Sequence, residues 1–545
     1  GSAIDLRQIP ALTYAEFFEA VRERLSNPAC HVAHYFGVPV EETRLRVWCM
    51  ILNDEEHTIE VASYDVDYYD EELPSLTKEF PAMHPFERDM TERWGIRYDG
   101  MPWDKPLRTP SRSARRGGTV DEYPFYKMES ASLHEVNVGP IHAGIIEPGA
   151  FRFICNGEQV LHLEIALGYQ HRGVEGEMTR DDNKLRQTLI AESIAGDTAV
   201  GHATAYAELI EKLGDERIDE ELKLERMIAL ELERIAMHIA DTGALATDIG
   251  FQLYQVACEA LRTVTINTTQ AWCGNRFGKS MIRPFGTNHP LTTEKIETIC
   301  KNITDVRRRY NELREDILSD NTLLARFEQC GLVPTEEMQR IGGVGMAARS
   351  SNLKRDIRAS HPSGYYATEL KHEPVLKSHC DVMSRLATRL DEVLQSADYV
   401  LNTLKSYKPA EKLRSPQYDA KLEADALSFS LIEGWRGEIC HVALTDDKGK
   451  IAKYKMKVRG SMKKTCDMYL YCGLSTIFWG TLFGGWFGDL IPTVMKTFMG
   501  IKNPPSLALW LEPMNDTMDL LMYSMLFGVV HLFAGLLIRF FMMMN

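Results

Sequence analysis

Residues 139–211 place a short β-hairpin directly before a long helical segment, and this order most constrains the fold. Two runs typical of strands, Phe151–Cys155 and Val160–Leu167, flank Asn156-Gly157. An Asn-Gly pair between extended segments predicts a tight hairpin turn. After Gly168 the apolar spacing becomes that of helices, and the i,i+4 spacing of His171 and Glu175 predicts that they share one helical face. The stretch therefore predicts an α+β fold in which a hairpin packs on helices.

Residues 1–110 predict a small α/β domain. Apolar residues at Leu12–Leu25 have helical spacing, while Thr43–Leu52 and Thr58–Tyr64 alternate as strands do. Residues 111–128 are rich in Arg, Ser, Gly and Pro, which predicts a linker. A larger domain at 129–457 follows.

This larger domain is predicted to be helix-rich. Long amphipathic patterns cover Leu222–Ala246, Thr292–Gln329 and Leu376–Leu404. The first pattern carries a charged stripe that fits either a solvated face or salt bridges between helices. The stripe contains Glu231, Arg234 and His238.

Charge and cysteine content exclude several classes. A net charge of -15 argues against a nucleic-acid-binding protein. The 11 cysteines contain no CxxC pair, so we expect free thiols in a reducing compartment and no iron–sulfur cluster.

The C-terminal part, 465–545, predicts a transmembrane helical hairpin. Neither Met468–Gly488 nor Leu520–Ile538 contains a charged residue, and each is long enough to cross a bilayer. The lysine-rich run Lys448–Lys464 precedes them and should stay in the cytoplasm. The expected location is the inner (plasma) membrane, with the folded part on its cytoplasmic face.

Four motifs in the middle of the chain resemble two related families, the quinone-site subunit of respiratory complex I and the large subunit of membrane-bound, energy-converting NiFe hydrogenases. They are Gly139–His142, Gly168–Glu175, Arg355–Arg358 and Glu433–Glu438. The resemblance implies a hydrogenase-large-subunit-like domain. The N-terminal domain resembles the small partner subunit of complex I, which is fused to the quinone-site subunit in some lineages. In that family Glu87-Arg88-Asp89 belongs to an interdomain contact.

The resemblance implies a subunit at the base of an electron-transfer arm in an NADH:quinone oxidoreductase-like complex. Its implied partners are an iron–sulfur subunit, antiporter-like and other membrane-arm subunits, and the membrane. It would couple electron transfer to ion translocation. The alternative is a coupling subunit that has lost the redox reaction.

NiFe hydrogenases bind their metals through two CxxC pairs, and this chain departs from that pattern. Ala195 and Thr198 stand at the first pair, and no CxxC follows Glu438. Cys440 is a single thiol, which predicts a buried side chain. We therefore expect neither a nickel–iron centre nor hydrogenase activity, and no covalently bound cofactor.

Quinone is the ligand that the resemblance leaves as a candidate. His142 matches the first His of the family's hairpin loop, but the headgroup-binding His falls near Pro148-Gly149 and the Tyr near Gly196. Neither quinone ligand can be carried over. Polar residues that could line the same cavity and relay protons are His142, Glu147, His171, Glu175, Asp197 and His202, with Arg152, Arg172 and Thr198 as binding residues. The alternative is that His171, Arg172 and Glu175 only brace the hairpin.

The C-terminal part carries a separate resemblance, to the membrane subunit I of V-type ATPases. It rests on Cys472–Gly480, Leu482–Asp489 and Leu511–Asp516. A natural fusion and a joining of two unrelated reading frames both explain this order. On this part alone, the chain would be a membrane stator piece of a rotary ATPase.

Overall fold

Strands and long helices are both present, as the sequence predicts for an α+β fold. The computed structural model describes residues 3–67, 72–108, 125–128, 130, 132–142, 148–215, 217–409 and 415–457. Its strands are β1 (Ile4–Asp5), β2 (Ala11–Leu12), β3 (Cys30–Pro39), β4 (Arg44–Asn53), β5 (Thr58–Asp67), β6 (Glu72–Pro74), β7 (Arg97–Asp99), β8 (His134–Val138), β9 (Ala150–Asn156), β10 (Gln159–Ala166), β11 (Ala426–Gly434), β12 (Gly437–Thr445) and β13 (Ile451–Lys457). Its helices are α1 (Tyr14–Leu25), α2 (His84–Trp94), α3 (Val174–Met178), α4 (Lys184–Ala191), α5 (Ala199–Leu213), α6 (Glu220–Asp248), α7 (Gln252–Cys273), α8 (Thr293–Ser319), α9 (Asn321–Phe327), α10 (Thr335–Arg340), α11 (Gly345–Arg349), α12 (Ile357–Ser360), α13 (Gly364–Thr368) and α14 (Val382–Ser406).

The N-terminal sheet, in the order β2-β5-β4-β3, is buried on both faces. Along β4, Val47 and Cys49 join the core formed with α1 and α2, while Trp48 and Met50 face the opposite way. Successive side chains of a strand point to opposite faces, so one strand serves two cores. The second core is completed by β11 and β12, which means that the N-terminal sheet packs on the C-terminal one.

The C-terminal sheet, in the order β1-β11-β12-β13, joins the two ends of the folded region. Ile4 of β1 pairs with Leu427 of β11, so residues at the N-terminus form the edge of a C-terminal sheet. A turn at Asp446–Gly449 connects β12 and β13. Cys440, in β12, is fully buried, as predicted.

The helical core is formed by α5 to α8 with α14. The amphipathic pattern predicted as one helix over Thr292–Gln329 is two helices, α8 and α9. The second begins after Asp320, whose side chain caps it by accepting hydrogen bonds from the amides of Thr322 and Leu323. The charged stripe of α6 is buried, and the Glu231 carboxylate pairs with Arg358 of α12 at 3.2 Å, so salt bridges between helices are the interpretation that the structure confirms.

The predicted hairpin is the β9–β10 pair, and β8 completes a three-stranded sheet. Its turn contains Gly157 at φ 59°, a left-handed conformation that glycine adopts without steric cost. One local prediction is wrong: His171 and Glu175 do not share a helical face, because α3 begins at Val174 and His171 is extended.

No helix in the described part of the chain is both long and apolar enough to span a bilayer. The predicted spans Met468–Gly488 and Leu520–Ile538 lie outside the described residues, as do Glu147 and most of the predicted linker. Part of the predicted basic flank belongs instead to β13, where Lys455 and Lys457 are bound in ion pairs.

Candidate functional site

The turn between α4 and α5 contains the positions that the hydrogenase resemblance assigned to the first metal-ligand pair. Helix α5 starts at Ala199 without a hydrogen bond from the Thr198 side chain to its first amides. Glu233 of α6 replaces that cap. Its carboxyl oxygens accept hydrogen bonds from the amides of Val200 at 2.8 Å and Gly201 at 3.2 Å.

Burial raises the pKa of Glu233 to about 8, although the two amide hydrogen bonds oppose the shift. The nearby Asp197 adds to the increase. Glu233 is therefore mostly protonated at neutral pH and can hold a proton directly behind the turn.

Asp197 forms a bidentate ion pair with Arg436, which lies between β11 and β12. Its two carboxylate oxygens accept hydrogen bonds of 2.7 and 2.6 Å from the guanidinium. The guanidinium also lies 4.0 Å from the ring centroid of Trp435. The Trp435 indole N–H donates to the Asp197 carbonyl at 3.0 Å and to the Thr198 hydroxyl at 3.2 Å. The turn that the resemblance assigned to the first metal-ligand pair thus contacts the Glu433–Glu438 motif.

The donor set at this place does not fit a nickel–iron centre. Soft thiolates bind these metals, whereas Ala195 offers no ligand atom and the Thr198 hydroxyl is engaged by Trp435 and Asp197. Among the described residues, no three His, Cys, Asp or Glu side chains are grouped as a metal site. The guanidinium of Arg436 is instead a hydrogen-bond donor suited to a neutral or anionic oxygen ligand.

His202 lies one turn further along α5 and is buried. Its Nδ1 is 2.9 Å from Nε2 of His441 in β12, whose Nδ1 is 2.7 Å from the hydroxyl of Tyr454 in β13. Burial lowers the pKa of His202 to about 3, so the imidazole is neutral at physiological pH. These three side chains form one hydrogen-bonded chain.

Glu175 belongs to a different cluster, an ion network between the N-terminal region and the rest of the fold. It pairs with Arg93 at 2.7 Å and with Lys455 at 2.9 Å. Arg93 and Lys455 also bind Asp89, at 2.8 and 3.3 Å. Burial raises the pKa of Glu175, but Lys455 and Arg93 outweigh it and the net shift is downward. Asp89 of the Glu87-Arg88-Asp89 motif therefore makes the interdomain contact that the resemblance implied.

His171 and Arg172 flank this network. Burial and the positive charges of Arg108 and Arg93 lower the pKa of His171 to about 4. Arg172 donates hydrogen bonds to the carbonyls of Ser193 and Ile194, at 2.5 and 2.7 Å. It thereby ties the segment before α3 to the turn that carries Asp197.

His142 and Arg152 lie on the hairpin side. His142 Nε2 is 2.7 Å from the Gly149 carbonyl, and both residues lie between β8 and β9. Arg152 in β9 pairs with Glu135 of β8 at 2.5 Å and lies over the Phe125 ring at 4.5 Å. The direct contacts of both side chains are thus with the hairpin and its neighbours.

The structure therefore brings Asp197, Thr198 and His202 together, whereas Glu175 lies in the ion network with Arg93, Lys455 and Asp89. Arg172 connects the segment before α3 with the turn that carries Asp197. Sequence reasoning missed Glu233, Trp435 and the pairing of Arg436. The Glu433–Glu438 motif gave a signal for Arg436, but nothing local distinguishes Glu233 from other charged residues of α6.

Comparison with known proteins places two matched regions in this chain. Residues 8–127 match the 30 kDa subunit of respiratory-chain NADH dehydrogenase, and residues 248–428 match its 49 kDa subunit. The chain is 28% identical to the membrane-bound hydrogenase subunit alpha of Pyrococcus furiosus over 338 residues, 60% of this chain and 78% of that protein.

Two further relatives are similar over comparable lengths. The formate hydrogenlyase subunit 5 of Escherichia coli is 27% identical over 418 residues, 72% of each chain. An NADH-quinone oxidoreductase subunit of Nitratiruptor is 27% identical over 313 residues, 55% of this chain and 74% of that protein. This chain is thus a relative of respiratory NADH dehydrogenase and membrane-bound hydrogenase subunits, and it joins in one polypeptide two regions that match separate subunits of the dehydrogenase.

Proposed function

We propose that this protein is a subunit of a membrane-bound oxidoreductase complex, at the base of its electron-transfer arm, where electron transfer is coupled to ion translocation. The order of the two matched regions in one chain supports this role. So do relatives whose names place them in a hydrogenase, a formate hydrogenlyase and an NADH-quinone oxidoreductase.

The Asp197–Arg436 ion pair is the observation that carries the chemical part of the proposal. It joins the turn at which the resemblance places the first metal-ligand pair of the hydrogenases to the Glu433–Glu438 motif, with Trp435 packed beneath it. A bound quinone would accept electrons and protons there. Arg436 would orient its oxygen, Asp197 would fix the guanidinium, and Glu233 would supply a proton from behind the turn.

The chain would receive electrons from a partner. Its 11 cysteines contain no CxxC pair, so we assign the iron–sulfur clusters to a separate subunit docked against this one. Antiporter-like subunits would complete the membrane arm.

The C-terminal part would anchor the chain through Met468–Gly488 and Leu520–Ile538, in the manner of the V-type ATPase subunit I that it resembles. In that topology the loop between the two spans lies outside. A single cysteine placed near Asn515 should react with a membrane-impermeant reagent in intact cells, and protection of that cysteine would reverse the topology.

The active-site proposal is tested by Asp197→Asn in the assembled complex. Loss of a well-placed polar group typically lowers the rate about a hundredfold or more, and we expect that loss in quinone-linked turnover. The pair is partly exposed, so its removal should change the free energy of unfolding by only about 0–1 kcal/mol. His142→Ala should also lower turnover if the hairpin loop contributes to the same cavity.

Asp398→Asn is the matched control, because Asp398 pairs with Arg307 through two similar hydrogen bonds, of 2.7 and 3.0 Å, between α14 and α8. This variant should turn over at the parent rate. If Asp197→Asn assembles and also keeps the parent rate, the redox role is wrong and the protein is a coupling subunit.

A further inference from the structure

A buried ion network lies behind the candidate site, in the interior of the helical region. Its centre is Arg349, which contacts Glu392 and Glu433 at 2.8 Å each and Asp356 at 3.2 Å. Arg358 joins Asp356 to Glu231 at 2.7 and 3.2 Å. All of these side chains are buried.

The charges of this network do not balance if every group is ionised. Three guanidinium groups, from Arg234, Arg349 and Arg358, face four carboxyl groups, from Glu231, Asp356, Glu392 and Glu433. Burial lowers the pKa of the two adjoining histidines, His238 and His372, which keeps them neutral. With every group ionised, the network would therefore carry one negative charge that no guanidinium balances.

Glu433 is the carboxyl that gives up its charge. Burial and the neighbouring Asp356 carboxylate raise its pKa to about 7, against the effect of Arg349, Arg234 and Arg358. By contrast, the pKa values of Asp356 and Glu392 are held well below their usual range, despite burial, by the guanidinium groups.

A small cavity adjoins Glu433, and its wall contains both apolar and polar side chains. Its wall also contains Glu208, Thr204, Arg226, Ser363 and Tyr366. The cavity volume is about 20 Å³, and roughly 10–15 Å³ is enough to hold one water molecule. Arg226 lines the cavity, and its Nε is buried without a hydrogen-bond partner among the described residues.

Glu208 is the second acid of this cavity. Ser363 and Ser430 donate to its two oxygens at 3.2 and 3.3 Å. Burial raises its pKa, and Glu211 adds to the shift, while Lys212 and Arg226 oppose it. Two acids with raised pKa values thus line one small cavity, whose wall also includes the half-buried Tyr365.

We propose that Glu433 and Glu208 share a proton through water held in this cavity, forming a proton store behind the Asp197–Arg436 pair. In the transfer, the Glu208 carboxyl gives its proton to the water, and the water gives one to the Glu433 carboxylate. Glu433 lies just before Gly434, at the end of β11, and close in sequence to Arg436, so its ionisation acts on the strand end that presents the candidate site.

The test is infrared titration of the full-length protein, following the band of the protonated carboxyl groups with pH. Glu433→Gln should remove one component that titrates near neutral pH. Glu208→Gln should lower the midpoint of the Glu433 component by about 1 pH unit, the size expected for interacting sites. Glu225→Gln is the matched control, because Glu225 is also buried, with a pKa raised to about 7, but lines a separate cavity.

An unchanged Glu433 midpoint in Glu208→Gln, or an equal change in Glu225→Gln, would overturn the proposal. If Glu433→Gln does not fold, Glu208→Gln alone decides. This variant must remove the Glu208 component of the carboxyl band and also shift the midpoint of the Glu433 component. The measurement does not use turnover. Its failure is therefore distinct from failure of the proposed quinone role, and either proposal can stand alone.

Discussion

Glu233 both caps a helix and holds a proton, and neither role can be predicted from the residues next to it in the sequence. Its carboxyl group caps α5 from a neighbouring helix, and burial keeps it protonated at neutral pH. The folded pKa of about 8 lies above the usual value of 4.5. Between these values the unfolded chain releases a proton that the folded chain retains, so this group makes stability fall as pH rises.

Glu233→Gln removes the ionisation while keeping an amide oxygen for the α5 amides. We expect the variant to gain stability relative to the parent as pH rises from 5 to 8, because the glutamine has no proton to lose. Urea unfolding at several pH values measures this change. Glu259→Gln, on the exposed face of α7, should leave the pH dependence as it is. A parallel pH dependence for Glu233→Gln and the parent would contradict the assignment.

At the scale of elements, the backbone at Gly168 crosses the backbone at Leu107 and Arg108 at very short range. Gly168 follows β10, and a Cβ there would overlap the carbonyl oxygen of Leu107 and the Cα of Arg108. The backbone at Leu107 and Arg108 donates to Glu92, which holds this chain segment in place. The segment therefore cannot move aside without breaking buried hydrogen bonds.

Gly168→Ala should destabilise the protein by about 1–3 kcal/mol, the usual cost of overpacking, as measured by denaturant unfolding. Gly176→Ala is the control. Gly176 lies within α3 with nothing within 4 Å of its would-be Cβ, so alanine should be neutral or stabilising by up to about 1 kcal/mol. Equal effects of the two substitutions would show that the crossing is not tight.

Across the molecule, the N-terminal region is joined to the rest of the described chain by buried ionic contacts as well as by sheet packing. His31 of β3 lies 2.7 Å from Glu438 of β12 and 3.2 Å from Asp54. Lys457, Arg355 and His361 complete the group around these two carboxylates. Burial lowers the pKa of His31, but Glu438 and Asp54 outweigh it and the net shift is upward.

His31→Gln should destabilise the folded protein at pH 6, and the difference from the parent should shrink at higher pH. The reason is that a raised histidine pKa gives stability that is complete below the unfolded value of about 6.5 and is lost as pH rises through the folded value. Thermal unfolding between pH 6 and 9 measures this. His134→Gln, exposed on β8, is the control and should show no such trend. A difference that grows with pH would contradict the prediction.

Local patterns predicted two of the three long strands of the N-terminal sheet. The predicted strands Thr43–Leu52 and Thr58–Tyr64 correspond to β4 and β5. Strand β3, at Cys30–Pro39, is not predicted, because its His-Val-Ala-His-Tyr-Phe-Gly run does not alternate between apolar and polar residues. His171 was misplaced because its i,i+4 spacing to Glu175 carries no information on where a helix begins.

The α+β class and the loss of thiolate ligands at Ala195 and Thr198 could be predicted without a structure. Hydrophobic periodicity depends only on neighbouring residues, and the sequence itself states which residue stands at each position. Which charges meet depended on the fold. Asp197 and Arg436 are 239 residues apart, and the stripe of α6 became a buried network because other elements cover it. Burial then set which acids hold protons, since the cost of a charge depends on surroundings that distant parts of the chain supply.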